Sequence, residues 1–176
     1  MITTTLNKIR DHSPCQEGWE KLLKHLGKTK ADDEPLPFAV IVESNGIEDA
    51  LWCCRSAPEY DKEWRLFAVW CARQVQHLMT DPRSVAALDI AERSANGEVT
   101  TKALDAARAA AWDAARAADR AAARAADWAA AWAAAGDAAG AAAWAAAWAA
   151  AMAADRDAAG AAARAAQTKR FLEVVS

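Results

Sequence analysis

The 176 residues carry a formal net charge of −3, and 54% of them are hydrophobic, although much of that fraction is alanine. Residues 1–101 hold 16 acidic and 12 basic side chains, a balance of −4, and the remainder holds 8 acidic and 9 basic, a balance of +1. Neither part offers the strongly basic surface that phosphate groups require, so the composition argues against a nucleic-acid partner.

The first third of the chain predicts short helices separated by one loop. Ser13 and Pro14 supply an N-cap and a first-turn proline for a helix that ends before Gly27. Its apolar side chains recur at helical spacing, as Trp19, Leu22, Leu23 and Leu26. The polar stretch KTKADDEPLP then predicts a loop.

The next segment, Phe38–Glu43, is ambiguous between a strand and a helix. Its length and β-branching suit a strand, whereas its helical neighbourhood suits a short helix. Asn45-Gly46 ends it in either case. Residues 47–56 then predict a helix with Ile47, Leu51 and Cys54 on one side.

Two further helices have clear start signals. One opens at Glu59 or Asp61 and runs to about Met79. The second begins at Asp81-Pro82, a cap followed by a first-turn proline, and ends at Gly97. Thr100 or Thr101 caps the entry to the alanine-rich tract that follows. The chain therefore predicts an all-α protein, a multi-helix bundle.

The alanine-rich tract spans residues 102–166 and has a strict period of four. Alanine has the highest helix propensity, and no proline interrupts the tract. A step of four residues drifts about 40° around a helix, so one straight helix would leave a tryptophan pair facing water. We therefore predict two or three antiparallel helices, broken near Gly136–Gly140, that turn both tryptophan pairs toward a common core. The residues at every fourth position of the tract, which interrupt the alanine background, are Arg108, Trp112, Arg116, Arg120, Arg124, Trp128, Trp132, Gly136, Gly140, Trp144, Trp148, Met152, Arg156, Gly160 and Arg164.

The change in composition also predicts how the chain is organised. We expect a helical globular half at residues 1–101, the alanine-rich tract packed on it at 102–166, and a C-terminal tail at 167–176, together forming one domain. Five tryptophans of the tract are expected to be structural: Trp112, Trp128, Trp132, Trp144 and Trp148.

Reactive residue types are few and are not arranged in a catalytic or metal-binding motif. The cysteines are Cys15, Cys53, Cys54 and Cys71, without a CxxC pair, and they are expected to be reduced thiols of a cytoplasmic protein without a signal peptide. No histidine lies at a spacing from a nucleophilic residue that indicates a catalytic pair, and no glycine-rich phosphate loop occurs. We expect no enzyme activity, no cofactor and no metal. The uncharged residues 138–154 suit a buried helix better than a membrane span.

One acidic group is the candidate contact surface for a partner. It comprises Asp32, Asp33, Glu34, Glu48 and Asp49, and its charge density makes it the best candidate for a partner surface. The alternative is a solvated loop without a binding role.

The block Phe67–Ala111 resembles bacterial helical immunity proteins of the Imm5-like family. The shared features are a Trp-Cys-Ala helix, the Asp81-Pro-Arg83 start, a helix ending in Ala95-Asn-Gly97, and Ala/Arg repeats after it. Residues 1–66, with the run SNGIEDALWCC, resemble bacterial and prophage proteins. The resemblance implies a helical cytoplasmic binder that neutralises a toxin. The leading hypothesis is a noncatalytic protein-binding module, of the immunity or phage–host conflict type, whose partner is a toxin, nuclease or defence protein. The alternative hypothesis is a self-assembling protein whose Ala/Trp tract forms a homo-oligomer interface.

Overall fold

The computed structural model describes residues 1–118, 121–134, 139–156 and 160–176, and in these ranges all side chains except those of 121–122, 139–144 and 154–156. Ten α-helices and one short antiparallel strand pair lie in the described residues. The prediction of an all-α multi-helix bundle is thus confirmed.

The elements follow each other with short connections. The first part contains β1 (Thr3–Thr4), α1 (Leu6–Asp11), α2 (Gln16–His25), β2 (Leu36–Pro37), α3 (Phe38–Asn45), α4 (Ile47–Cys53), α5 (Asp61–Gln74) and α6 (Pro82–Ala95). The alanine-rich part contains α7 (Thr101–Ala117), α8 (Ala121–Ala133), α9 (Ala139–Arg156) and α10 (Gly160–Val175). Single 3-10 turns occur at Cys54–Ser56, Pro58–Tyr60 and Gln76–Leu78.

The helix ends around residues 81–101 are confirmed as predicted from their capping residues. The Asp81 carboxylate accepts a hydrogen bond from the Arg83 backbone N–H at 2.9 Å, and Pro82 occupies the first turn of α6. Gly97 follows α6 with a φ of +74°, a conformation that favours glycine. The Thr100 hydroxyl accepts from the Ala103 N–H at 3.3 Å and caps α7.

Four predicted boundaries in the first part differ from the structure. The helix predicted over residues 47–56 is α-helical only to Cys53 and continues as a 3-10 turn at Cys54–Ser56. Helix α2 begins at Gln16 rather than at Ser13-Pro14, because Ser13 adopts a φ of +55° and Cys15 is extended. The predicted loop ends in β2, whose two residues pair with β1. The helix predicted to reach Met79 ends at Gln74, beyond which the chain tightens into a 3-10 turn.

The ambiguous segment at Phe38–Glu43 is helical and lies in α3. Its helical turn places Phe38, Ile41 and Ser44 on one buried face, which an extended chain would divide between two faces. Gly46, with a φ of +95°, separates α3 from α4 in a backbone conformation that side chains with a Cβ rarely adopt.

The described residues of the alanine-rich tract form four helices, so the prediction of two or three was wrong. Helix α7 ends because Ala118 turns to an extended conformation, and the Arg124 Nη2 group of α8 donates to the Ala118 carbonyl at 2.8 Å. The predicted break near Gly136–Gly140 agrees with the end of α8 at Ala133 and the start of α9 at Ala139. Gly136 itself lies outside the described residues.

Helix α9 lies at the centre of the bundle, in contact with α4, α5, α8 and α10. Its alanines allow this close approach on several sides, because a methyl group keeps neighbouring helix axes near each other. Ala146, Ala149, Ala150 and Ala153 are fully or almost fully buried. The core is continuous from the first residues of the chain to the last.

Helix α10 contains the residues predicted as a tail and adds a buried face to that core. Gln167, Phe171 and Val175 are buried at a spacing of four residues. The Gln167 Nε2 group donates to the Ala147 carbonyl of α9 at 3.0 Å, and the Ile2 N–H donates to the Val175 carbonyl at 2.8 Å. The two ends of the chain are therefore joined, and the division at residues 101 and 166 stays a prediction.

Candidate functional site

A cleft of about 250 Å³ opens among helices α1, α2, α3 and α4. We call it the α4 cleft. Its lining includes the indole rings of Trp19 and Trp52 and the almost fully buried aliphatic side chains of Ile9, Leu22 and Ile41. Both tryptophans are partly buried. The full lining is Ile9, Pro14, Cys15, Gly18, Trp19, Leu22, Ile41, Asn45, Glu48, Asp49, Trp52 and Cys53.

The amide of Asn45 organises the polar edge of the α4 cleft. Its Nδ2 group donates to the Gly18 carbonyl at 2.8 Å and to Asp49 Oδ2 at 2.7 Å. Its Oδ1 atom accepts from the Ser44 hydroxyl at 2.6 Å. These bonds join α2, α3 and α4 and hold the Asp49 carboxylate in one orientation at the cleft.

Gly18 permits α2 to approach this edge closely. A Cβ atom at position 18 would lie 2.8 Å from Asp49 Oδ2 and 3.1 Å from Cys15 Sγ. Cβ atoms in proteins do not approach another heavy atom as closely as 2.8 Å, so any larger residue at position 18 would displace the carboxylate or the thiol. The glycine is thus part of the geometry of the α4 cleft.

Two thiols line the α4 cleft, in different environments. Cys15 is exposed, whereas Cys53 is buried. Burial raises the pKa of Cys53 to about 12, the nearby Asp49 carboxylate contributes to the rise, and Arg55 opposes both effects. Cys53 is therefore a protonated apolar wall near neutral pH. Arg55 covers one face of Trp52, with its guanidinium carbon 4.3 Å from the ring centroid.

A second, smaller groove of about 150 Å³ lies beside α4 and is lined by Trp148. We call it the Trp148 groove. Trp148 is 48% exposed, an unusual value for a tryptophan in a bundle. Glu48 lines both this groove and the α4 cleft, so the two depressions meet at that residue. The other lining residues are Ile47, Leu51, Ala147, Ala151, Met152, Arg164 and Gln167.

The predicted acidic group is divided into two environments. Asp32 and Glu34 each accept from Lys28 Nζ at 2.6 Å, and Asp33 is exposed in the same loop. The hydrogen bond from Lys28 lowers the pKa of Asp32, and the carboxylates raise the pKa of Lys28. Glu48 and Asp49 line the α4 cleft instead. The role of all five residues in partner binding stays a prediction.

The predicted structural tryptophans also occupy different environments. Trp112 and Trp132 meet edge to face with their centroids 5.3 Å apart, and Trp128 packs partly buried against the core. Trp148 is half exposed, whereas both pairs were expected to turn toward a common core; the buried positions of α9 beside it are alanines. The side chain of Trp144 lies outside the described part of the chain.

Several residues of the α4 cleft were not identified from the sequence. The sequence indicates only an apolar stripe for Trp19, a helix stop for Asn45 and a reduced thiol for Cys15, and it predicts no role for Gly18 or Trp52. Trp52 carried one usable signal, because it lies off the predicted buried face of Ile47, Leu51 and Cys54. A large aromatic outside the buried face of its helix indicates either a second packing partner or a surface site.

A buried polar pair lies apart from both depressions. Asp127 on α8 is 0% exposed, and neither of its carboxylate oxygens makes a hydrogen bond with the described residues. The Ser84 hydroxyl on α6 is likewise buried without a hydrogen bond there. Burial is the main cause that raises the pKa of Asp127. The neighbouring Ser84 hydroxyl lowers this pKa, the Asp81 carboxylate raises it further, and the Arg83 guanidinium lowers it.

The described ranges contain neither a metal-binding cluster nor a membrane span. No group of three or more His, Cys, Asp or Glu side chains there is arranged to hold a metal ion. None of the helices in those ranges has the length and apolar character needed to cross a membrane.

The fold and these surfaces define the class of molecule: an all-α bundle with an alanine-rich central helix and a tryptophan-flanked cleft with acidic residues at its edge. Comparison with protein-family models, with curated proteins and with solved structures found no match.

Proposed function

We propose that this protein is a noncatalytic protein-binding module that contacts its partner through the surface around α4. The observation that carries the proposal is the meeting of the α4 cleft and the Trp148 groove at Glu48. A half-exposed tryptophan beside an apolar cleft is typical of the anchor regions of protein interfaces.

The charge of this surface favours a basic partner. Glu48 and Asp49 take part in no ion pair within the described residues, whereas Asp32 and Glu34 are already paired with Lys28. Carboxylates that are not ion-paired in the described part of the chain attract a positively charged surface more strongly than paired ones and discriminate against a negatively charged surface. The resemblance of residues 67–111 to immunity proteins supports the narrower proposal that the partner is a toxin, nuclease or defence protein.

The five acidic residues lie in two environments, so a loop residue, Asp33, can serve as the control for Glu48 at the cleft. The tagged wild-type protein, Glu48→Lys, Trp148→Ala and Asp33→Lys are each used to capture proteins from a lysate of the source organism. A true partner is retained by Asp33→Lys and reduced by at least about tenfold with Glu48→Lys and with Trp148→Ala. Circular dichroism verifies that all four proteins are folded.

Each other outcome has a defined meaning. If Asp33→Lys weakens capture as much as Glu48→Lys does, the capture results from nonspecific charge attraction and not from the proposed surface. If no captured protein depends on Glu48 or Trp148, the proposal is wrong. Sedimentation velocity separates the remaining rival, because self-assembly through Trp148 predicts a concentration-dependent oligomer that Trp148→Ala abolishes. A captured nuclease or toxin is then tested for inhibition by the purified protein.

A further inference from the structure

The size of the α4 cleft suits one side chain rather than a whole small molecule. Its volume of about 250 Å³ lies below the range of roughly 300–1,000 Å³ that is usual for small-molecule sites. Its accessible apolar lining includes the partly buried indole rings of Trp19 and Trp52, which can cover an aliphatic stem.

The polar groups of the cleft select the end of that side chain. Asp49 is oriented by Asn45, and Glu48 is exposed beside it. A neutral apolar side chain would remove water from the Asp49 carboxylate without supplying a new partner, which is costly. A cationic head would replace the lost water with an ion pair. Arg55 does not line the cleft, so its guanidinium does not occupy the position beside Asp49 where a cationic head would bind.

We infer that the α4 cleft binds the side chain of a lysine or arginine presented by a partner protein. The aliphatic stem packs against the partly buried indole rings of Trp19 and Trp52, and the charged head pairs with Asp49 and Glu48. This inference rests on the proposed function for the source of the side chain, since the basic partner supplies it. It adds the chemical class of the group that anchors the partner.

The first test uses blocked amino acids as probes of the full chain. Nα-acetyl-lysine amide, Nα-acetyl-arginine amide, Nα-acetyl-norleucine amide and Nα-acetyl-glutamate amide are titrated while the indole N–H signals of Trp19 and Trp52 are followed by NMR. We expect the two cationic probes to shift both signals with dissociation constants of roughly 1–10 mM, as suits ligands of this size. Norleucine, which has the stem without the charge, binds at least about threefold more weakly. Equal affinity for norleucine and lysine, or tighter binding of glutamate, would overturn the inference.

An isosteric double variant tests the origin of the preference. Glu48→Gln with Asp49→Asn removes both charges, and the amide oxygen introduced at position 49 can still accept the hydrogen bond from Asn45. We expect the lysine probe to bind this variant no better than norleucine. Retention of the full lysine preference would show that the carboxylates do not recognise the head group.

A third measurement reports on the cleft without NMR. The exposed Cys15 lines the same cleft, so a bound lysine probe slows its alkylation by iodoacetamide. Gly18→Ala places a methyl group against Asp49 and Cys15 and therefore abolishes this protection. An alkylation rate that is unchanged by a saturating lysine probe contradicts the proposed site.

The two proposals fail in distinguishable ways. If the lysine probe binds but no captured protein depends on Glu48 or Trp148, the cleft has the inferred chemistry and the protein-binding proposal is wrong. If a partner depends on Glu48 and Trp148 but the cationic probes leave Trp19, Trp52 and Cys15 unaffected, the interface is real and the side-chain inference is wrong.

Discussion

The indole ring of Trp64 stacks on the phenyl ring of Phe171, with their centroids 6.0 Å apart and their planes inclined by 20°. Both side chains are among the largest fully buried ones in the described residues. Phe171 also meets Phe67 edge to face at 5.4 Å. The last helix therefore completes an aromatic cluster that the middle of the chain begins.

This relationship predicts that Phe171→Ala strongly destabilises the protein. Truncation of a buried phenylalanine usually lowers the free energy of unfolding by about 3–5 kcal/mol, because apolar contacts are lost and a cavity remains. Urea unfolding followed by circular dichroism measures the change. Leu172→Ala is the neighbouring control at a partly exposed position, with an expected loss of about 1 kcal/mol. Similar losses for the two variants would contradict the central position of Phe171.

Sequence reasoning succeeded where a few adjacent residues determine the structure. The start of α6 at Asp81-Pro82, its end before Gly97 and the cap at Thr100 all depend on local hydrogen bonds and backbone preferences. The stacking of Trp64 on Phe171 cannot be predicted in this way, because the residues adjacent to them in sequence do not indicate that these two side chains meet. The α4 cleft was missed for the same reason, since residues from four helices form it.

The alanine-rich tract shows a second limit. Alanine favours a helix at every position, so propensity alone does not locate the ends of the helices. The break before α8 is accompanied by a hydrogen bond from the Arg124 side chain to the carbonyl of Ala118, which propensity does not indicate. The four-residue period is visible in the sequence, but it does not indicate that Trp148 is half exposed while the alanines beside it are buried.

Asp127 predicts an unusual dependence of stability on pH. Burial raises its pKa above the ordinary value of 3.8 in the folded protein. The folded state therefore favours the protonated acid, and the stability that this supplies is fully present below pH 3.8 and is lost as the pH rises through the raised pKa. Asp127→Asn mimics the protonated form at every pH. We expect it to match the wild type near pH ~4 and to exceed it at pH ~7 by about 1–3 kcal/mol.

The measurement for Asp127 is the difference in the free energy of unfolding between the two proteins across this pH range. Carboxylates with lowered pKa values, such as those of Asp32 and Glu59, lose stabilising contacts in acid in both proteins, so their effect cancels in the difference. Asp113→Asn, at an exposed position paired with Arg116, is the control and shows no gain that grows with pH. A constant difference for Asp127→Asn would refute the assignment.

Trp148 and Trp132 should differ sharply when truncated. Trp132 packs against Trp112 and the core, so Trp132→Ala is expected to cost about 3 kcal/mol of stability. Trp148 is half exposed, and Trp148→Ala is expected to cost about 1 kcal/mol or less. Thermal or urea unfolding of the two variants tests this. A large loss for Trp148→Ala would mean that the residue supports the fold and would remove the reason to place it in an interface.

The four cysteines predict a single reactive thiol in the folded protein. Cys15 is exposed, whereas Cys53, Cys54 and Cys71 are buried, and burial raises the pKa of each of these three. Because the thiolate is the nucleophile, buried protonated thiols react only when the protein opens. Ellman's reagent at about pH 8 should therefore label one thiol per chain rapidly and all four after addition of denaturant. Cys15→Ser should abolish the rapid phase, and a rapid phase that survives in this variant would contradict the assignment.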